Sequence, residues 1–258
     1  MGIEIKSEQE IAVMRQSGQI VAEILRTLTK QMKPGMNTKE LDTIAAKELK
    51  RLGAESSFKG YRGYPATVCV SVNDEIVHGI PGTRVLKDGD IVSLDFGAIY
   101  HGFHGDAAVT VPVGEVSPEA SRLMEATRAS LEKGIAAAKA GARLGDVSAA
   151  IQDCAESRGY SLVREYTGHG IGRKMHEDPQ IPNSTEPPYG LKPGTGPVLK
   201  KGMTLAVEPM LNAGDWHTRV AEDQWTVLTA DGSLSAHFEH TIAVDDNEPE
   251  VLTWGTYG

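Results

Sequence analysis

Only two cysteines, Cys69 and Cys154, occur among the 258 residues. Neither belongs to a CxxC pair or a His/Cys cluster, which argues against a zinc-finger framework. Two isolated thiols suit a reducing compartment better than an oxidising one. No apolar run approaches the ~20 residues needed to cross a bilayer. The opening MGIEIKSEQEIAVMRQ mixes charges and has no apolar h-region, so it does not read as a secretory signal. Basic residues are outnumbered, 26 Lys+Arg against 35 Asp+Glu, for a formal net charge of -9. Bulk attraction to nucleic acid is therefore disfavoured. The expectation is a soluble, cytoplasmic protein with no membrane partner and no specific nucleic-acid partner. A chain of this length buries roughly 75% of its unfolded surface, enough for a sizeable core.

What is present is an order of elements written twice. Ser7 and Glu10 form a capping-box pattern, followed at helical spacing by Ile11, Met14, Val21, Leu25 and Leu28. Pro34-Gly35 is expected to end that helix, and a second helix fits Thr38 to Leu52. Strands are expected at 66–72, 91–98 and 107–111. Ser117-Pro118 then opens another helix, and one carrying Val147, Ile151 and Cys154 follows. Further strands are expected at 203–208, 224–229 and 236–244. PGMNTKELDTIAAKELKRLG and AGARLGDVSAAIQDCAESRG align without a gap, glycine on glycine. VHGIP (77–81) resembles GHGIG (168–172), setting His78 opposite His169. KDGDIVSLDFG resembles KKGMTLAVEPM, setting Asp95 opposite Glu208. FHGDAAVTV resembles HFEHTIAV, setting Asp106 opposite Glu239. A single α+β domain over 1–258 follows, with halves of about 1–112 and 113–258 related by a pseudo-two-fold axis. Residues 177–201 break the symmetry. They hold six of the thirteen prolines, so periodic structure is not expected there, and a rim loop near the active site is the favoured reading.

The matched positions carry the chemistry. Asp95, Asp106, Glu208 and Glu239 sit in apolar, strand-like segments that contain no basic residue. Buried carboxylates are costly unless paired or bound to a cation, and converging ones repel and raise one another's pKa values. Two divalent cations would balance the four charges. With His169 the donor set is mostly hard oxygen with one nitrogen, suited to Co(II), Mn(II), Fe(II) or Zn(II). Two such metals ~3.5–4 Å apart can share a water and lower its pKa towards ~7. Hydrolysis also needs donors for the oxyanion and the leaving group, for which His78 and His176 are the candidates. His101, His104, His217, His237 and His240 are read as surface or core residues.

At these residues the sequence resembles type I methionine aminopeptidase, of the pita-bread (creatinase/aminopeptidase) fold shared with prolidases. HGIP, GDIVSLDFG, GFHGDAAVT, GHGIGRKMHE, LAVEPM and FEHT carry the resemblance, which extends from EIAVMRQSG to FEHTIAV. It implies a dinuclear metallo-exopeptidase with its active site between antiparallel strands. Such an enzyme removes the N-terminal methionine of nascent chains when the second residue is small, by means of a metal-bridging hydroxide. The resemblance implies that Asp95 chelates one metal, that Asp106 and Glu239 bridge both, and that His169 and Glu208 complete the other. Glu208 is also the implied proton acceptor, with His78 at the scissile nitrogen and His176 at the carbonyl oxygen. The methionine pocket maps to Tyr61, Tyr64, Cys69, Met175 and Trp225; many bacterial members have Phe where this chain has Met175. Work on chains leaving the ribosome is a further implication. The alternatives weighed are a proline-specific peptidase and a non-enzymatic module on the same fold.

Overall fold

The computed structural model describes residues 2–256. Four helices occupy the segments that the sequence marks as helical. Helix α1 (Glu8–Gln31) and helix α2 (Thr38–Arg51) each begin with a capping box, Ser7/Glu10 and Asn37/Glu40. Helix α3 (Pro118–Ala137) starts on Ser117 with proline in its first turn, and helix α4 (Leu144–Glu156) follows.

The strands form one nine-stranded antiparallel sheet and two of three strands. Across the large sheet the order is Glu55–Ser56, Ile91–Tyr100, Phe103–Pro112, Glu239–Ala243, Thr204–Val207, Thr167–Gly170, Glu177–Pro182. Cys69–Val72 also pairs with Ile91–Tyr100, and Glu250–Val251 with Glu239–Ala243. The centre is the seam between Phe103–Pro112 and Glu239–Ala243. Outward from it, Ile91–Tyr100 answers Thr204–Val207, and Cys69–Val72 answers Thr167–Gly170. This is the pita-bread arrangement, and the matched segments of the sequence occupy matched places in it.

Helices cover one face of this sheet. Helix α1 packs across the Phe103–Pro112 and Ile91–Tyr100 strands. A Cβ on Gly105 would lie 2.9 Å from Gly18 N in α1, so Gly105 faces the helix. By strand alternation Asp106 faces the other way. On the second half Val207 lies beneath Gly134 of α3, which sends Ala206 and Glu208 to that same opposite face. The main core fills the helix side with Leu25, Leu28, Leu94, Phe96, Leu123, Ile151 and Val207 among its members.

Several boundaries depart from expectation. The first helix stops at Gln31, before Pro34-Gly35. Only Cys69–Val72 of 66–72 is strand, whereas 107–111 is the end of a longer strand, Phe103–Pro112. The 236–244 segment is two strands: Ser235–His237 pairs with Met210–Asn212, and Glu239–Ala243 with Phe103–Pro112. The expectation of no regular structure in 177–201 is overturned for Glu177–Pro182, which pairs with Thr167–Gly170. It is an edge strand, where prolines are tolerated because one side of the backbone has no ladder to donate to.

The contact of α1 with the sheet predicts a stability effect. A Cβ on Gly18 would overlap the main-chain carbonyl of Leu252, so one backbone must shift to admit it. Gly18→Ala is expected to cost about 1–3 kcal/mol, typical of overpacking, read as a lower urea midpoint at unchanged m-value. An unchanged midpoint would show that the helix and the 252 segment are not in fixed contact.

Candidate active site

Two rows of paired residues run across the open face of the sheet. In the first, Cys69 opposes Asp95, Asp95 opposes Ala108, and Ala108 opposes Glu239. In the second, Gly97 opposes Asp106, while Thr241 opposes Ala206 and Ala206 opposes His169. Thr241 stitches the second row across the seam: its Oγ1 accepts from Asp106 N at 3.0 Å and donates to Asp106 O at 2.7 Å. Paired residues point to one face, so the acids and His169 converge there. Ala, Gly and Thr fill the places between them, and these small side chains leave the carboxyl groups room to meet. The ligating atoms of Asp106, His169 and Glu239 all lie within 4.8 Å of one another, and Glu208 Oε1 is 3.6 Å from His169 Nε2.

His169 is aimed by its surroundings. Its Nδ1 lies 2.9 Å from the carbonyl of Gly170. With Nδ1–H donated there, the Nε2 lone pair faces the carboxylates, the orientation a metal-ligating imidazole needs. The glycines flanking it are obligatory: a Cβ on Gly168 would strike the carbonyl of Ala206, and one on Gly170 that of Asp178.

Burial governs the electrostatics. It pushes the Asp95 carboxyl up to about 7. Burial, and then the neighbouring carboxylates, raise Asp106, Glu208 and Glu239 well above the ordinary carboxylate range. Asp95 Oδ1, Asp106 Oδ1 and Glu239 Oε1 are buried without any hydrogen-bond partner. Native proteins rarely leave such atoms unsatisfied, and no lysine or arginine lines this cavity except Arg62. Orphaned hard oxygens beside an oriented imidazole are what a site for divalent cations requires. The residues present fit such ions.

The acids form the floor of a cavity of ≈ 150 Å³. All twelve site residues expected from the sequence line it: Tyr61, Tyr64, Cys69, His78, Asp95, Asp106, His169, Met175, His176, Glu208, Trp225 and Glu239. Tyr64 packs edge-on against Trp225 at 5.1 Å, and its hydroxyl donates to Gly79 O at 2.9 Å. Burial, followed by the charge of Asp95, pushes the Cys69 thiol up, so it lines the wall as a neutral group. His176 Nδ1 lies 2.9 Å from the Tyr61 hydroxyl. The loop that carries it is held by the Glu177 carboxylate, which accepts from the buried Lys6 ammonium and from Lys174 N at 3.1 Å. His78 has a backbone φ of 62, a conformation that costs a non-glycine residue free energy and clusters at functional positions. Burial lowers His78 to about 4, and burial followed by the charge of Arg62 lowers His176, so both rings are neutral at neutral pH.

Sequence reasoning missed three residues here. Phe58 and Arg62 also line the cavity; Phe58 gave no signal, whereas Arg62 adjoins Tyr61. His237, read as a core or surface residue, is buried with Nε2 3.9 Å from both Glu208 Oε2 and Glu239 Oε2. Its position two residues before Glu239 was the available signal. His101 and His217 are exposed, and His104 is buried with Nδ1 2.9 Å from Ser57 Oγ. None of residues 183–201 lines this cavity, although Asn183 Nδ2 donates to Glu208 O at 3.1 Å.

Comparison with known proteins bears on this geometry. The model of metallopeptidase family M24 matches residues 12–246. The chain is 52% identical over 248 residues to methionine aminopeptidase 1 of Bacillus subtilis (strain 168), covering 96% of this chain and 98% of that one. It is 51% identical over 250 residues to a methionine aminopeptidase of Clostridium acetobutylicum, covering 96% and 98%. The crystal structure of methionine aminopeptidase from Thermotoga maritima superposes with a TM-score of 0.94 at 51% identity, over 98% of this chain and 99% of that one. A prolidase from Pyrococcus furiosus shares the fold, with a TM-score of 0.78 at 20% identity over 96% of this chain and 65% of that one.

Proton linkage turns the burial of these groups into a measurable slope. A carboxyl whose folded pKa is raised lends stability that is fully present below its unfolded value and is lost as pH rises through the folded one. For Asp95 that window runs from the ordinary 3.8 to about 7. Six histidines are shifted down (His78, His104, His169, His176, His237 and His240) and oppose this trend. Above their ordinary value of 6.5 they are neutral in both states. The metal-free protein is therefore expected to lose stability as pH rises from about 6.5 to 8, by urea midpoint, and saturating divalent cation should abolish the slope. A metal-free midpoint that climbs over this interval would contradict the burial of ionisable acids at the site.

Proposed function

The chain belongs to metallopeptidase family M24, and from that premise we propose how its cavity performs the metal-dependent removal of an N-terminal methionine. Asp95, Asp106, His169, Glu208 and Glu239 would hold two divalent cations, drawn from Co(II), Mn(II), Fe(II) or Zn(II). The observation that carries this reading is the set of buried, unpartnered carboxylate oxygens converging on one sheet face with His169 Nε2. Bound there, divalent cations supply Lewis acidity, which makes a water nucleophilic at neutral pH and polarises a carbonyl.

The remaining chemistry belongs to the chain. Glu208 accepts the proton of the attacking water and returns it to the leaving amine. His176 faces the scissile carbonyl oxygen. With the Tyr61 hydroxyl donating to its Nδ1, the ring proton resides on Nε2, free to donate to the developing oxyanion. His78 contacts the scissile nitrogen. Because both rings are neutral, each can donate without adding charge to a buried site. Tyr61, Tyr64, Cys69, Met175 and Trp225, joined by Phe58, receive the methionine side chain, whose thioether makes favourable contacts with aromatic edges. The substrate is the N-terminal methionine of newly made polypeptides, and the work is done in the cytoplasm on chains leaving the ribosome. No described helix is long and apolar enough to cross a membrane.

Two experiments test the reading. With the methionine side chain and free amine both fixed, little freedom remains for the second residue, and a misplacement of ~1 Å can cost ~100-fold in rate. A Met-X-Ser series should give high kcat/KM for Gly, Ala and Ser and a fall of about 100-fold for Leu, Phe, Lys and Arg. Similar values across the series would defeat the steric argument. The second experiment separates chemistry from metal retention. His176→Ala should lower kcat by the equivalent of about 3–4 kcal/mol, as loss of an oxyanion donor does, while retaining its metal content. Loss of metal would make His176 a ligand instead.

A further inference from the structure

Three cavities meet in series on this molecule. The catalytic cavity shares Arg62, His169 and His176 with a polar groove of ≈ 490 Å³. That groove shares Gly2, Asp178 and Gln180 with a third hollow of ≈ 560 Å³. The lining of the third hollow is largely apolar and comes in part from the proline-rich segment, through Tyr189, Leu191 and Pro197. Tyr189 is 50% exposed. It stands on a segment with fixed bonds to helix α4 and the residues before it. Gln152 Oε1 accepts from Thr185 N at 2.7 Å and from Ser184 Oγ at 3.1 Å. Asp146 Oδ1 accepts from Gly194 N at 2.7 Å, and Leu144 N donates to Pro197 O at 3.0 Å. An aromatic ring is thus presented to solvent on a prearranged support, beside a hollow that shares lining residues with the groove next to the catalytic cavity.

We propose that this series is the track of the substrate polypeptide beyond its second residue, with side chains further along the chain resting on Tyr189 and Leu191. The inference rests on the reading that the catalytic cavity cleaves after an N-terminal methionine. A polypeptide held there by its first residue must leave past the scissile carbonyl, and His176, which faces that carbonyl, lines both the cavity and the groove. An extended chain advances ~3.3–3.6 Å per residue and brings unpaired main-chain amides with it. The polar groove offers them Gln180, Asp178 and Arg62. The apolar end then buries surface that a tripeptide does not reach, and a support already ordered binds without the entropy cost of arranging itself. The proline-rich segment thereby acquires a role away from the chemistry: it reads the substrate's length and its apolar content downstream.

The test compares Met-Ala-Ser, the same peptide extended by four serines, and one extended by a serine and three leucines, on the metal-loaded enzyme. The leucine extension should lower KM about fivefold to tenfold relative to the tripeptide, the scale expected for burying one or two apolar side chains in part. The serine extension should lower it about twofold. Tyr189→Ser and Leu191→Ser should leave tripeptide kinetics unchanged and remove most of the gain from leucine. Equal KM for all three peptides at normal turnover would overturn the track alone. So would an undiminished leucine gain in both variants. Failure of the tripeptide itself to be hydrolysed would overturn the underlying activity and the track with it.

Discussion

Three buried carboxyl groups and a fourth, Glu208, that is mostly covered meet on one face of an antiparallel sheet, with three oxygens lacking any partner, and this is the constraint from which the rest of the structure follows. An ion in such surroundings is costly by many kcal/mol unless it is neutralised or paired. The fold nevertheless brings Asp95, Asp106, Glu208 and Glu239 together, and the strand rows show how. Acids alternate with Ala108, Ala206, Thr241 and Gly97, so that the crowded places carry the charge and the small residues give it space. The helices lie on the opposite face, where glycine contacts such as Gly18 on Gly105 press α1 against the sheet. One face is optimised for packing, and the other is left energetically unsatisfied until cations arrive.

The same burial that raises the acids lowers the histidines. His78 and His169 are held neutral, at about 4 and about 3, with burial the largest cause in each. A neutral His169 can coordinate, and a neutral His176 can donate through Nε2 while Tyr61 engages Nδ1. Burial therefore leaves the rings in the neutral state that coordination and donation need, and leaves the carboxyls holding protons that a cation must displace. The chemistry requires no separate tuning of each residue, only a sheet face shielded from water.

Much of this was legible in the sequence because its signals are local or repeated. The capping box of α1 and the Ser117-Pro118 start of α3 marked where those helices begin, and the paired motifs marked which acids would meet, since a duplicated half repeats its inward face. The misses have physical reasons. Glu177–Pro182 reads as loop because its prolines mask strand propensity, and only pairing with Thr167–Gly170 makes it a strand. His237 was set aside as an isolated histidine, and it reaches the acids because the chain changes sheets between Ser235–His237 and Glu239–Ala243. Arg62 and Phe58 enter the cavity through a turn with left-handed backbone at Arg62, which side-chain patterns do not encode. The proline-rich segment was read as a rim loop near the active site, and its Tyr189, Leu191 and Pro197 line a neighbouring hollow.

The central claim is that protonated, buried carboxyls stand where divalent cations belong. It is tested most directly by calorimetric titration of Mn(II) or Co(II) into metal-free protein at neutral pH, repeated in buffers of different ionisation enthalpy. Binding should saturate at two ions per chain and release protons, because the carboxyls must ionise to coordinate. Buffer-independent heats, showing that no protons leave on binding, would contradict it, as would the absence of any saturable site.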